Sequence, residues 1–150
     1  MLINSGVFQM EGGCFYSPLF NTLKNIRTSY FLAITWFIIT TILLCIPGNS
    51  LPKIGWLKIL PIDKCVHIFL FGILSLLFCK AFNRRKAFFS IALICSIYGT
   101  VMEFVQENWI PNRSFDIWDI VADTMGSFAA VAILHFIYRK EKVVNNISNL

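Results

Sequence analysis

The chain has 150 residues, 57% of them hydrophobic and only 14% charged, with a mean hydropathy of +0.68 and a formal charge of +5. Soluble domains carry nearer about a quarter charged residues. This much apolar surface exceeds what one small core can hide, which excludes an ordinary water-soluble fold and points to a bilayer as the solvent. The basic residues flank apolar runs and form no stripe interleaved with aromatics, so nucleic acid is excluded as a partner.

Residues 1–29 are mixed and irregular, with Gly12-Gly13 and Pro18, and are expected to form a cytoplasmic N-terminal tail. The first apolar run spans residues 30–46 and is stopped by Pro47-Gly48. Lys24 and Arg27 precede it in the manner of a signal peptide. The run nevertheless lies late and lacks a small-x-small cleavage site, and Leu44 replaces the small residue that a lipoprotein box around Cys45 would need. An uncleaved helix is expected. Between this run and the second, Trp56 and its apolar neighbours alternate with Lys53 and Lys58, the pattern of an interfacial aromatic anchor.

The remaining runs cover residues 66–82, 87–105 and 117–138, followed by a polar C-terminal tail at 139–150. Each of the four is long enough to cross ~30 Å of hydrocarbon. Nine basic residues (Lys24, Arg27, Lys80, Arg84, Arg85, Lys86, Arg139, Lys140 and Lys142) lie in the tails and middle turn, against four (Lys53, Lys58, Lys64 and Arg113) on the other side. This asymmetry places both termini in the cytoplasm. The expected fold is therefore all-α, a four-helix transmembrane bundle over residues 30–138 flanked by two cytoplasmic tails.

Five cysteines without a Cys-x-x-Cys pair indicate neither a disulfide framework nor a zinc motif, and Cys45 with Cys65 is the one pair that could meet at the outer surface. The acidic residues are more informative. Asp63, Glu103, Glu107, Asp116, Asp119 and Asp123 all map to the outer half, accompanied by Lys64, His67, Gln106 and Arg113. Helical spacing puts Asp63 and His67 on one face at the start of the second helix. Glu103, Gln106 and Glu107 share a face where the third helix ends, and Asp116, Asp119 and Asp123 repeat at three and four where the fourth begins.

Three helices thus present polar stripes at one depth, and the candidate site is the cluster Asp63, His67, Glu103, Gln106, Arg113, Asp119 and Asp123. Asp123 lies about 9 Å along the helix from Ile117 at ~1.5 Å per residue. Facing lipid, its carboxylate would cost about 2.5–3.5 kcal/mol, so it is expected to turn inward, toward Arg113, His67 or water. Arg113 is placed to fork between Glu103 and Asp119. The stripe Gly126, Ser127, Ala129 and Ala130 would let the fourth helix approach the second or third closely. No His-Glu-x-x-His motif is present and His135 lies at the opposite end, so no metal or cofactor is expected.

These residues resemble the VanZ-like family of bacterial membrane proteins. The likeness runs through Asp63-Lys64-Cys65-Val66-His67 and Glu103-Phe104-Val105-Gln106, continues with Pro111-Asn112-Arg113, and ends in Asp119-Ile120-Val121-Ala122-Asp123-Thr124-Met125-Gly126. Two departures stand out. The family usually has Asn where Asp123 stands, which adds a charge at a buried position, and often a second Gly a turn after Gly126, where this chain has Ala129 and Ala130.

The resemblance implies a multi-pass protein of the bacterial cytoplasmic membrane, and its founding member is associated with resistance to the glycopeptide teicoplanin. The expected function is action on the cell envelope through an outward-facing polar cleft that binds or processes an amphiphilic or lipid-linked molecule. Membrane lipids are the expected surroundings. In that reading Arg113 holds an anionic group, and Asp63, His67, Glu103 and Asp123 supply hydrogen bonds or proton transfer. Two alternatives stay open: a scaffold whose polar cluster is a structural ion-pair network, and a small transporter, which would need a homo-oligomer.

Overall fold

A computed structural model describes residues 26–48 and 62–147, with the backbone alone at residue 26 and residues 141–147. Four α-helices follow one another in the chain: α1 (Ile26–Leu44), α2 (Ile62–Phe82), α3 (Phe88–Trp109) and α4 (Ile117–Ile147), with a 3-10 turn at Arg85–Ala87 before α3. All four are long and apolar enough to cross a membrane, over Arg27–Leu44, Ile62–Phe82, Arg85–Trp109 and Ile117–Lys140. The protein is a multi-pass membrane protein built as an all-α bundle. Most of the expected N-terminal tail and the interfacial segment around Trp56 lie outside the described residues.

The helices are longer than the apolar runs. α1 and α2 each begin a turn before the hydrophobic stretch, α3 runs on to Trp109, and α4 continues through the polar residues expected to form a tail. Hydropathy marks where a helix meets lipid, whereas backbone hydrogen bonding continues until a cap or a breaker ends it. α2 ends on such a signal: Asn83 adopts the left-handed conformation (φ 49°) and donates its N–H to the Cys79 carbonyl at 3.0 Å. α4 begins on another, because the Asp116 carboxylate accepts the Trp118 N–H at 2.8 Å and so caps its first turn.

α2 is the central helix and packs against α1, α3 and, most extensively, α4, which also packs on α3. Each helix turns one stripe inward. On α3 this stripe comprises Phe88, Ile91, Ala92, Cys95, Ser96, Gly99, Met102, Glu103 and Gln106, while Phe89, Ile94, Ile97, Val101 and Phe104 face outward and are exposed. Phe31 and Ile42 on α1, Phe69 on α2, and Trp118, Met125, Ile133 and Phe136 on α4 are also exposed. An apolar exterior of this extent suits lipid and not water.

With no hydrophobic drive between helices in lipid, close backbone approach and polar contacts hold the bundle. The Trp36 indole donates to the Leu70 carbonyl at 3.0 Å, and the Thr41 and Tyr98 hydroxyls lie 2.8 Å apart. Gly126 sits directly on the α2 backbone, where an added Cβ would collide with the Ile68 carbonyl and approach its Cα to 3.0 Å. The small-residue stripe of α4 therefore packs against α2, although Ala129 lies on the exposed side. Cys45, Cys65, Cys79 and Cys95 are all free thiols, so the Cys45–Cys65 pair does not form.

Gly126→Ala is expected to lower stability by about 1–3 kcal/mol through overpacking against backbone that cannot yield. Gly72→Ala, whose Cβ would come no nearer than 3.4 Å to the Gly126 carbonyl, is expected to change stability by under about 0.5 kcal/mol. Thermal unfolding of the two variants in detergent micelles separates these outcomes.

Candidate functional site

The N-terminal ends of α2 and α4 and the C-terminal end of α3 meet at one end of the bundle, with the C-terminus of α1 beside them. His67 lies on the inward face of α2 with Leu70, Phe71 and Leu74, and its side chain is 3% exposed. Its Nδ1 is 2.8 Å from Asp123 Oδ1 on α4, a contact between two groups withdrawn from solvent. The same imidazole turns Nε2 toward Asp119, one α4 turn earlier, whose Oδ2 is 3.8 Å away. The three and four residue spacing read in the sequence puts Asp119 and Asp123 on one face, so a single imidazole lies between two carboxylates.

Asp119 is held from its other side. The Lys64 ammonium, three residues before His67 on α2, bridges Asp119 Oδ1 and Asp116 Oδ2 and approaches Asp63 Oδ2 at 3.6 Å. This bridge ties the beginning of α2 to the beginning of α4. The Asp63 side chain is 51% exposed and forms the rim, with Lys64 and Asp116 partly exposed beside it.

Glu103 reaches the same region from α3, and its Oε2 accepts the Asp116 N–H at 3.1 Å. Glu107, one turn later on α3, faces outward and is exposed. Asp123 Oδ2 is buried without a hydrogen-bond partner among the described residues. It lies against α3 at Gly99, where a Cβ would collide with the carboxylate. The cluster is closely packed: the Glu103, Gln106, Asp119 and Asp123 residues are all buried, and the expected open cleft is reduced to the rim at Asp63, Lys64 and Asp116.

Two residues expected in the cluster serve a neighbouring task. Gln106 donates through Nε2 to the Leu44 carbonyl at 2.9 Å, and Arg113 donates through Nε to the Ile46 carbonyl at 3.4 Å. The Leu44 carbonyl is the last of α1 and the Ile46 carbonyl lies two residues past it, beyond the helix's own donors. Arg113 therefore does not fork between Glu103 and Asp119; the ammonium of Lys64 bridges Asp116 and Asp119 instead. The linker between α3 and α4 carries Arg113 to the chain that follows α1, whereas Lys64 stands on the α2 face that meets α4. Asp123 turns inward as expected and meets His67.

Lys64, Asp116 and Gly99 are the residues that sequence reasoning left outside the cluster. Lys64 was visible within Asp63-Lys64-Cys65-Val66-His67, and Gly99 lies one turn before Glu103 on the same face. The Lys64 ammonium, followed by the Trp118 N–H, holds the Asp116 carboxyl below its ordinary range.

A sequence model of the VanZ/LLP1 family matches residues 7–138, nearly the whole chain. Among curated proteins, an uncharacterised protein of Schizosaccharomyces pombe is 35% identical over 96 residues, which cover 60% of this chain and 58% of that protein. The match thus takes in less than two thirds of that relative's length, and it extends the likeness to a fungus. No solved structure matches the chain.

Gln106→Leu removes the donor and leaves the Leu44 carbonyl buried without it, with an expected loss of about 1–3 kcal/mol in unfolding experiments. Acid should weaken the fold through Asp116. Its depressed folded-state value favours the charged form, so the stabilisation is complete above the ordinary aspartate range and disappears as pH falls through the lower folded value. Asp116→Asn keeps a capping oxygen and should flatten that part of the acid dependence, read as unfolding midpoints between about pH 5 and about pH 2.

Proposed function

The chain belongs to the VanZ/LLP1 family, and we propose that it works in a bacterial cytoplasmic membrane on a component of the cell envelope. Both termini face the cytoplasm and the polar cluster faces outward. The excess of basic residues in the tails and the Arg84-Arg85-Lys86 turn supports this orientation. In it, the rim at Asp63, Lys64 and Asp116 lies at the outer surface, where it meets the polar headgroup of an amphiphilic or lipid-linked molecule.

One observation carries the reading. Polar side chains from α2 and α4 form a continuous series from the buried Asp123 through His67, Asp119 and Lys64 to the exposed Asp63. Exposed apolar residues, Val66 and Phe69 on α2 and Trp118 on α4, stand beside that rim. An amphiphile fits such a boundary, with its chains in lipid and its headgroup at the rim. His67, oriented at Nδ1 by Asp123, is the group suited to accept a proton from it. Arg113, at the same end of the bundle, spends Nε on the Ile46 carbonyl and has no hydrogen bond from its terminal guanidinium nitrogens among the described residues, which suits it to an anionic group. Glycopeptide resistance is the phenotype expected if the bound molecule is a lipid-linked wall precursor.

A second reading treats the cluster as an ion-pair network that fastens helix ends. The burial of Glu103, Gln106, Asp119 and Asp123, and the use of Gln106 and Arg113 on α1 carbonyls, favour it. The two readings separate in single substitutions Glu103→Gln, Arg113→Ala and Asp119→Asn, scored for membrane level, for amphiphile retained on purification and for teicoplanin susceptibility of the host. An amphiphile site is expected to lose ligand and phenotype at wild-type membrane levels. If every variant simply fails to accumulate, the network reading replaces it.

A further inference from the structure

We propose that Asp63, His67 and Asp119 form a binding site for one divalent transition-metal ion, with zinc the best match to the donors. Each residue offers one ligand atom, and the three atoms lie within 4.8 Å of one another. The imidazole makes the site more than an acidic cluster. The His67 side chain is 97% withdrawn from solvent, being 3% exposed, and Nδ1 is engaged by Asp123 at 2.8 Å. The Asp119 oxygen facing Nε2 is 3.8 Å away, beyond hydrogen-bond reach. That gap is spanned by an ion with bonds of about 2.1 Å to each side.

The surroundings follow the arrangement that metal ligands need. A histidine that donates Nδ1–H to a carboxylate is fixed in the tautomer whose Nε2 lone pair points at the ion, and Asp123 supplies that carboxylate. Asp119 has the complementary support, since its Oδ1 is held by Lys64 while Oδ2 faces His67. Asp63 stands on the exposed rim and gives the ion a route in from solvent. Three protein ligands leave a fourth position for water, the pattern of a zinc site open to chemistry.

Charge points the same way. With His67 neutral, as a ligand must be, the four carboxylates of Asp63, Asp116, Asp119 and Asp123 outnumber the Lys64 ammonium, which contacts the first three. A dication removes most of that excess at a membrane end where it is poorly screened. One imidazole with two carboxylates selects zinc over calcium or magnesium, which favour all-oxygen shells. An ion there would occupy the Nε2 lone pair, so a metal-bound water would replace His67 as the base for headgroup chemistry, yet ion binding can be read without any substrate.

The test uses the full chain in detergent micelles, stripped of metal with a chelator and titrated with zinc chloride by calorimetry. Metal content after dialysis is measured in parallel. The expected result is one zinc per chain, with Asp63→Asn and His67→Gln each weakening binding at least about tenfold. Asp63→Asn leaves the His67–Asp123 and Lys64–Asp119 contacts in place, and its thermal unfolding without metal confirms the fold. Zinc should raise the unfolding temperature of the unaltered protein but not of this variant. Glu107→Gln, an exposed carboxylate at the same end, and Cys65→Ser, which removes an exposed thiol, should both bind as the parent does. No stoichiometric zinc, undiminished binding in Asp63→Asn and His67→Gln, or loss in Cys65→Ser instead, overturns the proposal.

Discussion

The contact between His67 and Asp123 puts an imidazole beside a carboxylate where neither reaches water, and much of the bundle end is built around that pair. A buried carboxylate facing lipid would be unstable there. It is tolerated because α2 and α4 approach closely enough for the two side chains to meet. Gly126, one α4 turn beyond Asp123, permits that approach by resting on the Ile68 backbone, and Gly99 on α3 leaves room for the second carboxylate oxygen. Small residues and charged ones are therefore parts of one device, the first setting the helix separation that lets the second pair.

From this centre the polar groups divide into two sets. Asp119, Lys64, Asp116 and Asp63 extend the pair outward to the rim, and Glu103 joins them through the Asp116 N–H. Gln106 and Arg113 act where α1 ends, on the Leu44 carbonyl and on the Ile46 carbonyl two residues beyond it. That division explains how four helices meet at this end: α2, α3 and α4 through side-chain charge, and α1 through its backbone.

Asp123 is also where the chain departs from the usual pattern of the family it resembles. An Asn there would still offer Oδ1 to the His67 Nδ1–H, so the orientation of the ring does not require a carboxylate. What Asp123 adds is a carboxyl group behind the imidazole in place of an amide, the kind of partner that orients a metal-ligating histidine.

Length and hydropathy alone determined that the chain has four membrane-crossing helices, because span length is set by bilayer thickness and needs no knowledge of neighbours. The three and four residue spacing likewise fixed which of Asp63, His67, Glu103, Gln106, Asp119 and Asp123 share a face within each helix, since that periodicity is local. Tertiary structure decided the partners. His67 and Asp123 are 56 positions apart, and only the rotation of α2 and α4 about their own axes brings them together. The same rotation gave Asp119 to Lys64, turned Glu107 outward, and left Arg113 to α1. Helix rotation depends on how small and large side chains interlock across three interfaces at once, and no single stretch of sequence contains that information.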